Sequence, residues 1–180
     1  MFNFIEMKYV WWNLDYNLTI QQCINVMRTI DSLLSEYGES HQNPTNKAVH
    51  WICVPTIFFC VVGLLYSVKL GVSLSPALPL NLAIVALVLT VVYYARLSLP
   101  LALGMTVFAL ICLWLCQAIE ASGVSLWKFS IGLFVLAWIG QFWGHKIEGK
   151  KPSFFKDLQF LLIGPAWLMS FIYQRMGIKF

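Results

Sequence analysis

His41, His50 and His145 are the chain's only three histidines, and each has amide or carboxylate side chains close by in sequence. Asn43, Asn46 and His50 follow one another at steps of three and four, which stacks them on one face of a helix. Gln141, His145 and Glu148 repeat the pattern far down the chain. Neutral imidazole is a good ligand for first-row metals such as iron or zinc, and amides or a carboxylate can orient such rings from behind. The plainer alternative is three separate polar residues at a boundary. The two differ in whether the elements carrying the histidines bring them together.

Composition sets the solvent for those elements. Of 180 residues 59% are hydrophobic, 16% aromatic and only 11% charged, with a mean hydropathy of +0.73. A water-soluble domain carries roughly 25% charged residues, so this chain has too few to cover a water-facing surface, and lipid is the natural solvent. The net charge is +4, but Lys and Arg fall between apolar runs, where they report orientation. No basic stripe interleaves with aromatics, which argues against nucleic acid as a partner. Five cysteines, four of them inside apolar segments, suit buried small residues better than a disulfide framework. Cys112 and Cys116 lie one turn apart without companions at metal-binding spacing. Residues 1–16 lack the basic start and long apolar run of a signal peptide; Tyr9, Trp11 and Trp12 suit an interfacial belt or a docked arm.

The pattern predicts an all-α polytopic membrane helix bundle with four or five transmembrane helices and an N-terminal amphipathic helix. Residues 1–43 form the arm and that helix, and 44–180 the bundle. Ile20, Cys23, Ile24, Met27, Ile30, Leu33 and Leu34 recur at helical spacing over 18–38, and Gly38 supplies a stop. This helix lies either on the bilayer or over the end of the bundle. Asn43-Pro44 starts the first span, 44–68, with Pro55 expected to kink it. A Gly-, Ser- and Pro-rich turn over 69–79 leads to spans at 80–95, 97–119 and 124–143. A polar cytoplasmic loop, 144–157, precedes a last apolar run, 158–173, interrupted by Gly164-Pro165. That run either crosses or re-enters, and crossing is the expectation.

Counting crossings places the histidines. The first and third helices leave the starting face and the second and fourth return to it, so His50 and His145 share one face, and His41 joins them. Lys8, Arg28, Lys47, Arg96, Lys146, Lys150, Lys151 and Lys156 fall there, against Lys69, Lys128, Arg175 and Lys179 on the other if the last run crosses. That bias makes the histidine face cytoplasmic. Glu148 is open to three readings: metal ligand, nearby base, or solvated partner of Lys150 or Lys151. Lys146, Lys150 and Lys151 either anchor to anionic headgroups or capture a substrate carboxylate.

Two stretches carry a resemblance. Residues 37–55, with His41, Asn43-Pro44, Asn46 and His50, and residues 141–152, with Gln141, Gly144-His145, Glu148 and Pro152, are similar to the membrane family of 2-hydroxy fatty acid dioxygenases of fatty-acid α-oxidation. The likeness runs from about residue 18 to 173. It implies an Fe2+-dependent enzyme that cleaves a long-chain 2-hydroxy fatty acid with O2 to the acid one carbon shorter. His41, His50 and His145 would then be the iron ligands, with Glu148, Gln141 and Asn46, at polar family positions, as the candidate catalytic residues and Lys146, Lys150 or Lys151 meeting the carboxylate. The acyl chain would lie between the apolar helices. The membrane would be a bacterial inner membrane or, in a eukaryote, the endoplasmic reticulum, with lipid as surroundings. A homo-oligomer stays open. Two other classes compete: a b-type haem electron carrier with His50 and His145 as axial ligands, and a non-enzymatic lipid-binding or transport protein.

Overall fold

A computed structural model describes residues 30–75, 78–149 and 161–180. Six helices and one small hairpin make up these residues: α1 (30–39), α2 (Pro44–Tyr66), β1 (Lys69–Ser75), β2 (Leu78–Asn81), α3 (Leu82–Leu97), α4 (Leu99–Ala121), α5 (Leu126–Glu148) and α6 (Ile163–Met176). The protein is an all-α membrane bundle. Helices α2, α4 and α5 are each 23 residues long and apolar enough to cross a membrane, and α3 is a shorter apolar helix. Leu89, Leu103, Leu110 and Trp114 project outward, a surface suited to lipid and unsuited to water.

Local chemistry sets the boundaries. The Asn43 side chain accepts from the amides of Thr45 and Asn46, and Pro44 fills the first helical position of α2. Ser98 ends α3 and caps α4, its Oγ accepting from Leu101 N–H at 3.3 Å. The segment 69–79, expected to be a plain turn, is largely an antiparallel hairpin instead. Its backbone groups, at the edge of an apolar bundle, pair with each other rather than stay unsatisfied. Lys69 Nζ meets Glu120 Oε2 at 3.0 Å, which ties the hairpin to the end of α4 away from the histidines.

Helix α5 runs on to Glu148, past the predicted end at Trp143, and stops where Gly149 adopts φ +74. The residues expected to open the cytoplasmic loop are therefore the last turn of a helix. The last apolar run is described only from residue 161 onward. Helix α6 has 14 residues, about 21 Å at 1.5 Å per residue, short of a core of ~30 Å. The hydroxyl of Tyr94 donates to the Leu162 carbonyl before α6, and that of Tyr173 near its end donates to the Pro100 carbonyl. Tyr94 lies in the last turn of α3 and Pro100 in the first turn of α4, toward the histidine end. The described part of the last apolar run packs there, against α1, α2 and α4. Gly164 and Pro165 belong to its first turn, where proline is tolerated.

Arg175 and Lys179 consequently join Lys47, Arg96 and Lys146 at the histidine end, leaving Lys69 and Lys128 at the other among the described residues. Helix α1 packs over that same end: Ile30 is buried with Tyr94, Leu101 and Ala166, and Tyr37 with Val54 and Trp167. Cys53, Cys60, Cys112 and Cys116 are buried and free. Cys23 and the rest of the predicted amphipathic helix before residue 30 lie outside the described residues.

Candidate metal centre

Helices α2 and α5 run antiparallel in close contact, and two glycines permit it. A Cβ on Gly144 would come 2.5 Å from Asn46 Oδ1, and one on Gly140 would come 2.7 Å from Cys53 Sγ. The Gly-x-x-x-Gly spacing lets one backbone lie against its neighbour, as in other membrane helix pairs. Glu148 then locks the register. Its Oε1 accepts from Gln42 N–H at 2.9 Å, and its Oε2 accepts from Asn43 N–H at 2.9 Å and Asn46 Nδ2 at 3.0 Å. A carboxylate at the amino end of α2 meets otherwise unpaired amides and the positive end of the helix dipole.

These contacts hold the histidines together. His41, His50 and His145 are all buried, at 3%, 0% and 4% exposure, and each offers one ring nitrogen within 4.8 Å of the others. The His50 and His145 ring centroids are 5.1 Å apart, and those of His41 and His145 5.4 Å. His50 Nδ1 lies 2.9 Å from the Asn46 carbonyl, and His41 Nδ1 bonds the Tyr37 carbonyl. A carbonyl only accepts, so both Nδ1 atoms carry a proton, and in the neutral rings both Nε2 atoms present lone pairs. Those two Nε2 atoms are 2.9 Å apart. Facing lone pairs repel, and a cation between them removes the conflict. The donor set thus fits a metal: three imidazoles buried from water, two of them oriented by backbone carbonyls.

The other predicted site residues fall into different places. Glu148 is outside the converging group, and its carboxylate joins α5 to α2. Asn46, fully buried, works with it: its Nδ2 also faces the Ser40 carbonyl at 3.4 Å. These contacts run between α2, α5 and the segment before α2. Gln141 is buried beside His50 in the wall of a cavity of about 70 Å³, and its Oε1 has no hydrogen-bond partner among the described residues. Lys146 is exposed at the end of α5, and Lys150 and Lys151 lie outside the described residues.

Sequence reasoning missed the aromatic wall. Tyr37 stacks on His41 with centroids 4.3 Å apart and planes 15° from parallel, and the Trp167 ring lies 5.5 Å from His41. Tyr37 is one turn before His41, a spacing visible in the sequence; Trp167 arrives only through the packing of α6. The haem alternative does not fit this geometry. The His50 and His145 rings stand at 90° with centroids 5.1 Å apart, and the third imidazole crowds them. No opening as wide as a porphyrin separates them among the described residues.

The fold and the cluster define a class: a membrane helix bundle with a buried three-histidine centre at one end. Residues 27–176 match the family described as 2-hydroxy-palmitic acid dioxygenase Mpo1-like. The chain belongs to that family. It is 34% identical over 148 residues to 2-hydroxy-palmitic acid dioxygenase MPO1 of Saccharomyces cerevisiae, covering 81% of this chain and 80% of that protein. No solved structure matches.

Proposed function

We propose that the protein is a non-haem Fe(II) dioxygenase that cleaves a long-chain 2-hydroxy fatty acid with O2. The observation that carries this is the convergence of three buried imidazoles, two of them bonded through Nδ1 to backbone carbonyls, in a chain similar to a 2-hydroxy-palmitic acid dioxygenase. The balanced reaction converts R–CH(OH)–COOH and O2 into R–COOH, CO2 and water. The C1–C2 bond breaks, C2 is oxidised to a carboxyl carbon, and all four electrons go to O2 without another reductant.

His41, His50 and His145 would hold the iron. Iron(II) in such a setting supplies redox chemistry with O2 and positions for oxygen ligands. The protein's part is positional. The Tyr37 and Asn46 carbonyls keep the His41 and His50 rings turned inward. Glu148 keeps α5 in register with α2, and hence His145 against His50. The Tyr37 ring covers one face of His41 and excludes water from it. Lys146 gives the rim a positive charge that attracts a carboxylate. Under the positive-inside rule the bias of Lys and Arg toward this end makes it the cytoplasmic face.

Protein purified without chelator should hold close to one iron per chain and consume O2 only when a 2-hydroxy acid is supplied. O2 uptake with an unsubstituted fatty acid, or a full rate after iron removal, would refute the reading.

A further inference from the structure

The cavity beside His50 has a direction. On α2 its walls are His50, Val54, Ile57 and Val61, and on α5 they are Gln141, Trp138 and Phe134. Steps of four, three and four on α2, and of three and four on α5, put each set on one helix face. Because the helices are antiparallel, each face starts at the histidine end and turns apolar with depth; His145 stands one turn beyond Gln141. The slot follows the seam between two helices that each present a polar residue, His50 or Gln141, and then a hydrophobic stripe, and Tyr37, Leu161 and Gly164 close it over.

Its size suits one kind of occupant. From His50 to Val61 is eleven residues of helix, roughly 16 Å. The cavity of about 70 Å³ corresponds to a single file of roughly five to seven water-sized spheres at about 10–15 Å³ each. Water has no partners among Val54, Ile57 and Phe134, whereas an extended hydrocarbon chain fills such a space with apolar contact. At roughly 1.3 Å of advance per C–C bond, the slot takes roughly a dozen methylenes. The mouth is polar, with His50 on α2 and Gln141 on α5; Gln141 is 7% exposed, and its Oε1 has no partner among the described residues. A hydroxyl donor arriving there satisfies it.

We infer that the substrate's acyl chain lies in this slot between α2 and α5, its 2-hydroxyl at Gln141 and its tail against Val61 and Phe134, which together set the preferred chain length. The inference rests on the proposed reaction for the identity of the head group. Val61→Phe should shorten the slot: kcat/KM across a homologous series of 2-hydroxy acids should move to chains shorter by several carbons, with about a tenfold loss on the longest. Phe134→Ala should move it the opposite way. Both variants should keep their iron, since neither residue is among the converging nitrogen donors. An unchanged chain-length profile in both, with activity retained, overturns the inference.

A second measurement reads binding without turnover. A 2-hydroxy acid brominated in mid-chain should quench tryptophan emission of the full-length protein in nanodiscs, and Trp138→Phe should remove most of the saturable part. Equal saturable quenching in both proteins, or none in either, overturns the slot. Saturable quenching at Trp138 by an acid that is never consumed with O2 upholds the slot and refutes the reaction. Turnover with an unmoved profile does the reverse.

Discussion

His41 Nε2 and His50 Nε2 face each other at 2.9 Å, with both rings tied through Nδ1 to the carbonyl of the residue four positions earlier. The residues holding the rings contribute backbone, so their side chains are free to do something else: Tyr37 stacks on His41, and Asn46 clasps Glu148. In neutral rings two lone pairs then face each other, an arrangement that positive charge between them relieves.

Loss of one imidazole should therefore empty the centre. His50→Ala and His41→Ala are each expected to lower iron from near one per chain to a small fraction, measured by elemental analysis of purified protein. On the proposed function iron binds the folded centre, so adding it to metal-free wild type should raise Tm, by the usual linkage of ligand to stability. The same addition should leave the Tm of His50→Ala unmoved. Full iron in either variant contradicts the assignment of that histidine.

Glu148 tests position against chemistry. Its carboxylate receives three N–H donors from the start of α2. Glu148→Gln keeps an acceptor but loses the charge, and should cost about 1–2 kcal/mol of stability, the exposed rim screening part of the usual charged hydrogen-bond contribution. Iron affinity should fall about tenfold, as for other groups that brace metal ligands. With iron saturating, kcat should return to near the wild-type value. A variant with full iron, full stability and no turnover would instead make Glu148 a reacting group.

The close approach of α2 and α5 gives a contrast among glycines. Gly144→Ala drives a methyl against Asn46 Oδ1, and Gly140→Ala drives one against Cys53 Sγ. Each should cost about 1–3 kcal/mol and loosen the metal, because His145 moves away from His50. Gly132 lies on the same helix with nothing within 4 Å of its added Cβ. Gly132→Ala should hold or raise stability by up to about 1 kcal/mol, from helix propensity alone. Thermal unfolding in detergent compares the three, and equal effects would remove the packing explanation.

What the sequence made legible follows the same division. Asn43-Pro44 announced the start of α2 through local capping, and crossing parity brought His50 and His145 to one end, since apolar length and charge are additive along a chain. The end of α5 was harder. Gly144 resembles a helix stop, but here its missing Cβ serves contact with Asn46, and Gly149 with φ +74 is the true stop. A glycine needed for packing and one needed for its dihedral are identical in sequence. The hairpin was hidden in a similar way. Leu70 and Val72 alternate with Lys69, Gly71 and Ser73, a strand period masked by residues of low strand propensity. Trp167 beside His41 was beyond reach, because it depends on how α6 packs.

That packing is open to a direct test. Apolar length alone favours a fifth crossing for the last run, but the tethers from Tyr94 to Leu162 and from Tyr173 to Pro100 hold both ends of α6 at the α3–α4 turn. The carboxy-terminal residues then share a face with Lys47, and Lys128 lies opposite. Single cysteines can be introduced as Lys47→Cys, Lys128→Cys and Lys179→Cys in a Cys23→Ser background, where Cys53, Cys60, Cys112 and Cys116 are buried. In intact cells a membrane-impermeant maleimide should mark Lys128→Cys alone, and permeabilisation should expose the other two together. Labelling of Lys179→Cys alongside Lys128→Cys would mean that α6 crosses. Trp167 would then have to leave His41, and the aromatic wall of the centre would be lost with it.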